Sequence, residues 1–147
     1  MRKYLYIGGA GFLGAVLRYL IKGIQLYSYH GHIPLNTLFI NVLGTFLMAF
    51  IMTIALELWS FDADVRLGLT TGFLGAFTTF STVCRETALL LKDEVYLPAA
   101  AYIAASILLG LGAAFLGIAA ARGLRAKTAP NTPAPDTDAD PSESDVD

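Results

Sequence analysis

Glycines and hydroxyl side chains stand together inside one long apolar stretch of this sequence, which reads Gly72-Phe73-Leu74-Gly75-Ala76-Phe77-Thr78-Thr79-Phe80-Ser81-Thr82. Lipid offers these groups no hydrogen-bond partner, so a membrane helix carries them only where they face protein or a water-filled path. If the helix breaks between Gly75 and Thr79, freed carbonyls can coordinate a cation such as Na⁺, and the second half-helix presents N–H donors at its N-terminus. The stretch therefore indicates ion conduction or ion binding.

A polar stripe is also predicted along the preceding apolar segment. Thr37, Asn41 and the Gly44-Thr45 pair recur at helical spacing, so they share one face. Asn41 falls near the middle of the membrane and needs a partner there. Its amide either hydrogen-bonds to a neighbouring helix or donates N–H groups to a passing anion.

Three aromatic residues, Phe73, Phe77 and Phe80, recur at i, i+4 and i+7, which is the spacing of an aromatic stripe on a helix. Such a stripe is usually a packing surface. A phenyl ring also presents a positively polarised edge, which can replace part of the hydration shell of a small anion.

Two charged residues lie deep in the apolar segments. Arg18 either extends to the lipid headgroups beside Tyr19 or attracts an anion to a pore mouth. Glu86 is either a solvated or paired charge at a helix end or the carboxylate of a vestibule. Tyr102 and Ser106 are one turn apart and either extend a hydroxyl track or pack helices together.

Other chemistry is disfavoured. Gly9–Gly14 matches G-x-G-x-x-G, but no acidic residue precedes Glu57, so close helix contact is the better interpretation. His30 and His32 make a weak metal site without a nearby carboxylate or thiol. Cys84 is expected to be a small packed hydrophobic residue. Since no nucleophile, base and orienting group occur together, an enzyme is not expected.

The composition favours an all-α integral membrane protein. The chain has 147 residues, of which 55% are hydrophobic and 15% charged. Four apolar spans are predicted at about residues 4–25, 35–58, 66–92 and 95–121, each long enough for a hydrocarbon core. Pro34 is expected to begin the second helix, and Asp62 or Asp64 to cap the third.

The charges divide the chain into a membrane domain, residues 1–125, and an acidic, proline-rich tail, residues 126–147, which is expected to be disordered. Four spans put both termini on one side of the membrane. The loops and ends on that side hold more Lys and Arg than those on the other side, which predicts cytoplasmic termini.

Three segments of the chain resemble the signatures of the Fluc/CrcB fluoride channels in order and spacing. They are Gly8-Gly9-Ala10-Gly11-Phe12-Leu13-Gly14-Ala15-Val16-Leu17-Arg18-Tyr19, Asn36-Thr37-Leu38-Phe39-Ile40-Asn41-Val42-Leu43-Gly44-Thr45-Phe46 and the stretch from Gly72 to Thr82. The resemblance covers residues 1 to about 122. It implies a passive fluoride exporter in the cell membrane, built as an antiparallel dimer of four-helix subunits with two pores.

The resemblance also implies a role for individual residues. The third helix would be broken mid-membrane, and the carbonyls of Gly75 and Thr78 from both subunits would hold a structural Na⁺. The pore asparagine matches Asn41, the first pore phenylalanine matches Phe80, and the remaining pore positions correspond to Arg18, Thr37, Ser81, Thr82, Glu86, Tyr102 and Ser106.

One position departs from the family pattern, because Val83 stands where the second pore phenylalanine would fall. This departure and the charge bias raise the hypothesis that the subunit pairs with a related, oppositely oriented partner instead of with itself. Two alternatives stay open. A small dual-topology multidrug transporter has the same size, but needs a membrane carboxylate that the first helix lacks. A non-conducting partner subunit would show no flux alone.

Overall fold

A computed structural model of the chain describes residues 1–23, 33–57 and 62–128, and every regular element in these ranges is helical. Helix α1 is Arg2–Gly23 and α2 is Leu35–Glu57. The next span begins as α3, Ala63–Leu67, continues as a π-helical segment, Gly68–Leu74 (the π-segment), and then as α4, Gly75–Phe77. Helix α5 is Phe80–Lys92 and α6 is Tyr96–Thr128.

Four stretches of the described residues are long and apolar enough to cross a membrane. They are Arg2–Gly23, Leu35–Glu57, Ala63–Lys92 and Tyr96–Leu124. The prediction of an all-α membrane protein with four spans is therefore confirmed. Helix α6 continues past residue 121, where the fourth span was expected to end. The loop that carries His30 and His32, and residues 129–147 of the predicted tail, lie outside the described residues.

Local hydrogen bonds account for two of the helix boundaries. Asp62 is the N-cap of α3, and its side chain accepts a bond of 2.8 Å from the Asp64 N–H, which confirms one of the two predicted caps. Helix α5 ends in a Schellman motif, in which the Val95 N–H donates to the Leu90 carbonyl at 3.0 Å. Glu94 takes the left-handed position of that motif, with φ of 59°.

Small residues let α1 and the π-segment approach closely. A Cβ atom on Gly14 would collide with the backbone carbonyl of Phe73, and one on Gly72 would come within 2.6 Å of the Ile7 carbonyl. The close helix contact predicted from the Gly9–Gly14 sequence is therefore confirmed. This contact fixes the third span against the first.

The remaining helices pack around a small core. Helix α2 packs along α6, and α5 contacts α6 through a buried cluster of Leu90, Ala99 and Tyr102. Many large apolar side chains outside this core are exposed, as lipid-facing or partner-facing residues would be.

Cys84 is exposed, so the prediction that it is a packed residue is wrong. It lies on the face of α5 that also carries Phe80, and both residues line an open groove between α5 and α6. The apolar run around Cys84 predicts burial, but within one subunit the open groove leaves Cys84 exposed.

Candidate ion pathway

The helical backbone is interrupted between α4 and α5. Thr78 and Thr79 are extended, with φ/ψ of −78°/159° and −151°/116°. The Thr78 N–H and hydroxyl both donate to the Leu74 carbonyl at 3.0 Å, and Thr79 is the N-cap of α5. The backbone groups of Thr79 thus lie outside any helix and need partners from elsewhere in the chain.

Asn41 of α2 supplies both partners. Its Nδ2 donates to the Thr79 carbonyl at 2.9 Å, and its Oδ1 accepts from the Thr79 N–H at 2.8 Å. Of the two predicted roles for Asn41, the contact with another helical span is therefore observed. An amide nitrogen carries two hydrogens, so a second N–H is left for another acceptor.

Three hydroxyls gather around the same point. The Thr79 Oγ1 lies 2.9 Å from the Thr82 Oγ1 and 3.4 Å from the Ser81 Oγ, and it accepts a bond of 3.3 Å from the Thr82 N–H. Ser81 and Thr82 were predicted as site residues, whereas Thr79 was not given a role of its own. A threonine just before a helix start is a preferred N-cap residue, and this signal could have found it.

Phe80 separates from the other two phenylalanines. Phe73 and Phe77 stack on each other at 6.1 Å and Phe77 is buried, whereas Phe80 is 81% exposed. The i, i+4, i+7 spacing therefore does not place the three rings on one face, because the extended residues at 78 and 79 turn α5 to a different face.

Two grooves meet at Phe80 and Asn41, which line both. One has a volume of about 490 Å³ and runs along α2 past Gly44, Thr45, Met48 and Met52. The other has a volume of about 590 Å³ and runs between α5 and α6 past Val83, Thr87 and Ser106. Their walls are largely apolar, with polar groups concentrated near the interruption.

A second polar cluster forms around Glu86. The Thr37 hydroxyl donates to its Oε1 at 2.8 Å, and the Tyr102 hydroxyl donates to its Oε2 at 2.8 Å. Lys22 places its Nζ 3.7 Å from the same Oε1. Of the two predicted roles for Glu86, a paired charge is the one observed. Sequence reasoning missed Lys22. Its place one turn after Arg18 on α1 predicts that the two share a helix face, but not that Lys22 contacts Glu86.

Ser106 lies one turn along α6 from Tyr102, as predicted, and its hydroxyl donates to the Tyr102 carbonyl at 2.7 Å. A serine hydroxyl has one hydrogen, so in this rotamer Ser106 offers only acceptor lone pairs to the groove. It would have to rotate to bind an anion.

Arg18 reaches the interruption from α1. Its Nη1 lies 3.5 Å from the Thr78 carbonyl, so the guanidinium points toward the interruption. The Thr78 carbonyl is one of the two oxygens that the resemblance assigns to Na⁺. Backbone carbonyls are suitable ligands for a hard cation, and a carbonyl oxygen has two lone pairs. The donor chemistry of the carbonyls therefore fits Na⁺, whereas the positive charge of Arg18 beside the Thr78 oxygen opposes it.

The structure thus groups the predicted residues into two clusters. Arg18, Asn41, Thr78, Ser81, Thr82 and the ring of Phe80 surround the interruption, whereas Thr37 and Tyr102 meet at Glu86 with Ser106 one turn beyond.

The family model described as "CrcB-like protein, Camphor Resistance (CrcB)" matches residues 5–118. The chain belongs to the CrcB family.

Curated relatives align with this chain over most or all of their own length. The "Fluoride-specific ion channel FluC" of Geobacter sulfurreducens is 44% identical over 125 residues, which cover 84% of this chain and 100% of the relative. The protein of the same name from Chlorobaculum tepidum is 43% identical over 117 residues, covering 80% and 92%. "Fluoride-specific ion channel FluC 1" of Moorella thermoacetica is 45% identical over 119 residues, covering 81% and 85%.

These matches confirm the family resemblance, because residues 5–118 contain all three of the segments on which it rested. The relatives are ion channels by name, so the expectation that this CrcB chain is not an enzyme is also confirmed. Together with the four spans, the match identifies a multi-pass membrane protein of a channel family.

Proposed function

We propose that this chain forms a fluoride-selective channel through which fluoride leaves the cytoplasm passively, down its electrochemical gradient. The observation that carries the proposal is the pair of hydrogen bonds from the Asn41 side chain to the Thr79 backbone, beside the exposed ring of Phe80. These bonds hold the irregular, polar backbone at Thr78 and Thr79 where the two grooves meet. The names of the CrcB relatives support fluoride as the ion.

Donors for a small anion converge at this junction. Asn41 keeps one amide N–H, and the hydroxyls of Ser81 and Thr82 are close by. The N–H groups of Phe80 and Ser81, the first two of α5, have no acceptor within the helix, and the positive end of the helix dipole points to the same place. Together they replace the water that fluoride sheds.

The Phe80 ring contributes its polarised edge without a formal charge. An ammonium in this position would hold fluoride too tightly to let it pass, whereas a ring edge attracts it weakly. A pore of this kind, too narrow for larger anions, favours fluoride over chloride.

In this proposal the interruption at Thr78 and Thr79 lies in the middle of the membrane. The carbonyls of Gly75 and Thr78 face those of a second subunit, and the four oxygens hold a structural Na⁺. The fit of carbonyl oxygens to a hard cation supports this assignment.

We further propose that the channel is an antiparallel dimer, either of this chain with itself or with a related, oppositely oriented subunit. The exposed apolar faces support a partner, since Phe80 and Cys84 have no cover within one subunit. Val83 supports the related partner, because it packs against the Leu90 cluster and leaves the groove without a second ring. The cell membrane is the proposed location, with cytoplasmic termini for the main orientation.

Fluoride efflux from liposomes that contain only this chain tests the proposal, with an ion-selective electrode as detector and chloride as the competing anion. A fluoride channel releases fluoride and retains chloride. Proton-coupled efflux of organic cations without fluoride flux would indicate the multidrug transporter. Flux that appears only after a second subunit is added would indicate a non-conducting partner. No fluoride flux under either condition would refute the proposal.

A further inference from the structure

One end of the helical bundle brings together charged residues from all four spans. Arg122, near the end of α6, donates to Glu57, the last residue of α2, with 2.9 Å between Nη2 and Oε1. At the start of α1, Arg2 lies close enough to Asp62 and Asp64 of the third span for Coulombic attraction. We call this end of the bundle, where α1 and α3 begin and α2 and α6 end, the basic end.

The basic end carries a surplus of positive charge. Six basic residues outnumber three acidic ones there, namely Arg2, Lys3, Arg66, Arg122, Arg125 and Lys127 against Glu57, Asp62 and Asp64. At the opposite end three basic and three acidic residues balance, namely Lys22, Arg85 and Lys92 against Glu86, Asp93 and Glu94. The surplus therefore lies at the end where the chain leaves α6.

Side chains of the basic end can bind further anions. Arg2 and Lys3 are exposed, and the Arg122 side chain is 63% exposed although it is paired with Glu57. Arg122 uses only its Nε and Nη2 for Glu57, whereas a guanidinium has five N–H groups. Arg66 forms no ion pair with any of the described residues. This surface can thus accept more carboxylates than it contains.

The sequence that follows α6 has the complementary charge. Residues 129–147 hold six carboxylates and no lysine or arginine. The first of them, Asp136, comes eight residues after Thr128, where α6 ends, so the chain can carry it up to about 26 Å from that point. A four-helix bundle is roughly 20 Å across, so every side chain of the basic end is within reach. The covalent link also gives the carboxylates a high effective concentration at this surface.

We propose that residues 129–147, the acidic segment, dock on the basic end of their own subunit. Carboxylates of the segment bind Lys3, Arg66 and Arg122 and cancel the positive surplus. The docked segment excludes anionic lipid headgroups, which would otherwise bind the same side chains. This inference goes beyond the proposed channel function and does not depend on it, since the family match ends at residue 118, before Arg122 and the acidic segment.

Zero-length cross-linking of the full wild-type chain tests the proposal. A water-soluble carbodiimide activates carboxylates, which then form an amide with a lysine amine only where the two groups are in contact. Trypsin cuts after Lys127 and releases the acidic segment for mass spectrometry. In phosphatidylcholine vesicles at low salt, the segment is expected to be joined to Lys3 at the basic end and not to Lys92 at the opposite end. Links found in the monomer band of a denaturing gel lie within one chain.

Salt and a matched pair of variants show whether charge holds the segment in place. NaCl at 1 M shortens the Debye length to about 3 Å and is expected to abolish the link to Lys3. Arg66→Gln is expected to lower its yield about threefold, because one exposed cation is lost while the pair of Arg122 with Glu57 stays intact. Arg85→Gln, at the opposite end, is the control and should keep the wild-type yield.

Vesicles that contain one quarter phosphatidylglycerol decide between the acidic segment and lipid as the occupant. A link to Lys3 that persists in these vesicles supports the proposal. A link that forms only in neutral vesicles overturns it, because the basic end is then a site for anionic lipid. Absence of the link in both, or equal links to Lys3 and Lys92, also overturns it. Fluoride efflux is not a readout of this experiment, so its failure is distinct from failure of the channel proposal.

Discussion

The side-chain amide of Asn41 satisfies both backbone groups of Thr79, 38 residues further along the chain. An extended residue between two helices would otherwise bury an N–H and a carbonyl without partners. One side chain on α2 therefore stabilises the irregular backbone at 78 and 79 and, with its remaining N–H, contributes a donor to the proposed fluoride path.

Asn41→Asp is expected to abolish fluoride efflux. A carboxylate still accepts from the Thr79 N–H, but it cannot donate to the Thr79 carbonyl and repels an anion. The unsatisfied carbonyl should also lower the free energy of unfolding by about 1–3 kcal/mol. The measurements are efflux from liposomes and thermal unfolding in detergent.

Thr53→Val is the matched control for Asn41 on the same helix. The Thr53 hydroxyl donates only to the Ala49 carbonyl, one turn before it, so its loss should leave efflux near the wild-type rate. Wild-type efflux from Asn41→Asp would show that the amide has no part in conduction.

Phe80→Ile is expected to reduce fluoride efflux to background while the subunit stays folded. The ring is 81% exposed in one subunit, so little packing within that subunit is lost, whereas the polarised ring edge disappears. Phe115→Ile is the control, because Phe115 is 72% exposed on α6 and lines neither groove. Equal efflux from both variants would remove Phe80 from the mechanism.

The four spans could be predicted from the sequence, because a bilayer demands long apolar segments, and polar residues such as Asn41 are conspicuous within them. The direction of Phe80 could not be predicted by helical periodicity, which assumes that the rotation per residue never changes. The π-segment and the extended residues at 78 and 79 both change it.

Side-chain contacts between residues far apart in the chain could not be predicted from the sequence either. Thr37 and Glu86 are 49 positions apart, and their hydrogen bond depends on how α2 packs beside α5. Polarity marked each residue as one that needs a partner, but not which partner it has. The contact of Lys22 with Glu86 could not be predicted either, since a lysine at a helix end is usually solvated.

Gly14→Ala is expected to destabilise the protein by about 1–3 kcal/mol, because the added methyl would overlap the Phe73 carbonyl on the π-segment. Gly8→Ala is the matched control on α1. A Cβ there meets no atom within 4 Å, and alanine favours the helix by up to about 1 kcal/mol. Thermal unfolding of the two variants in detergent should therefore shift in opposite directions. A neutral Gly14→Ala would contradict the close contact of α1 with the third span.

Removal of Na⁺ is expected to dissociate the proposed dimer. Two carbonyls per subunit, from Gly75 and Thr78, would be left facing two others without a cation between them, and Arg18 reaches only the Thr78 oxygen, at 3.5 Å. Light scattering of the purified protein in NaCl and in N-methyl-D-glucamine chloride at equal ionic strength measures the dimer fraction. Adding Na⁺ back should restore both the proposed dimer and efflux, because a bound ion would neutralise the repulsion between the four oxygen dipoles. A dimer that persists equally in both salts would show that the carbonyls need no sodium, and Arg18 would then be the cation that satisfies Thr78.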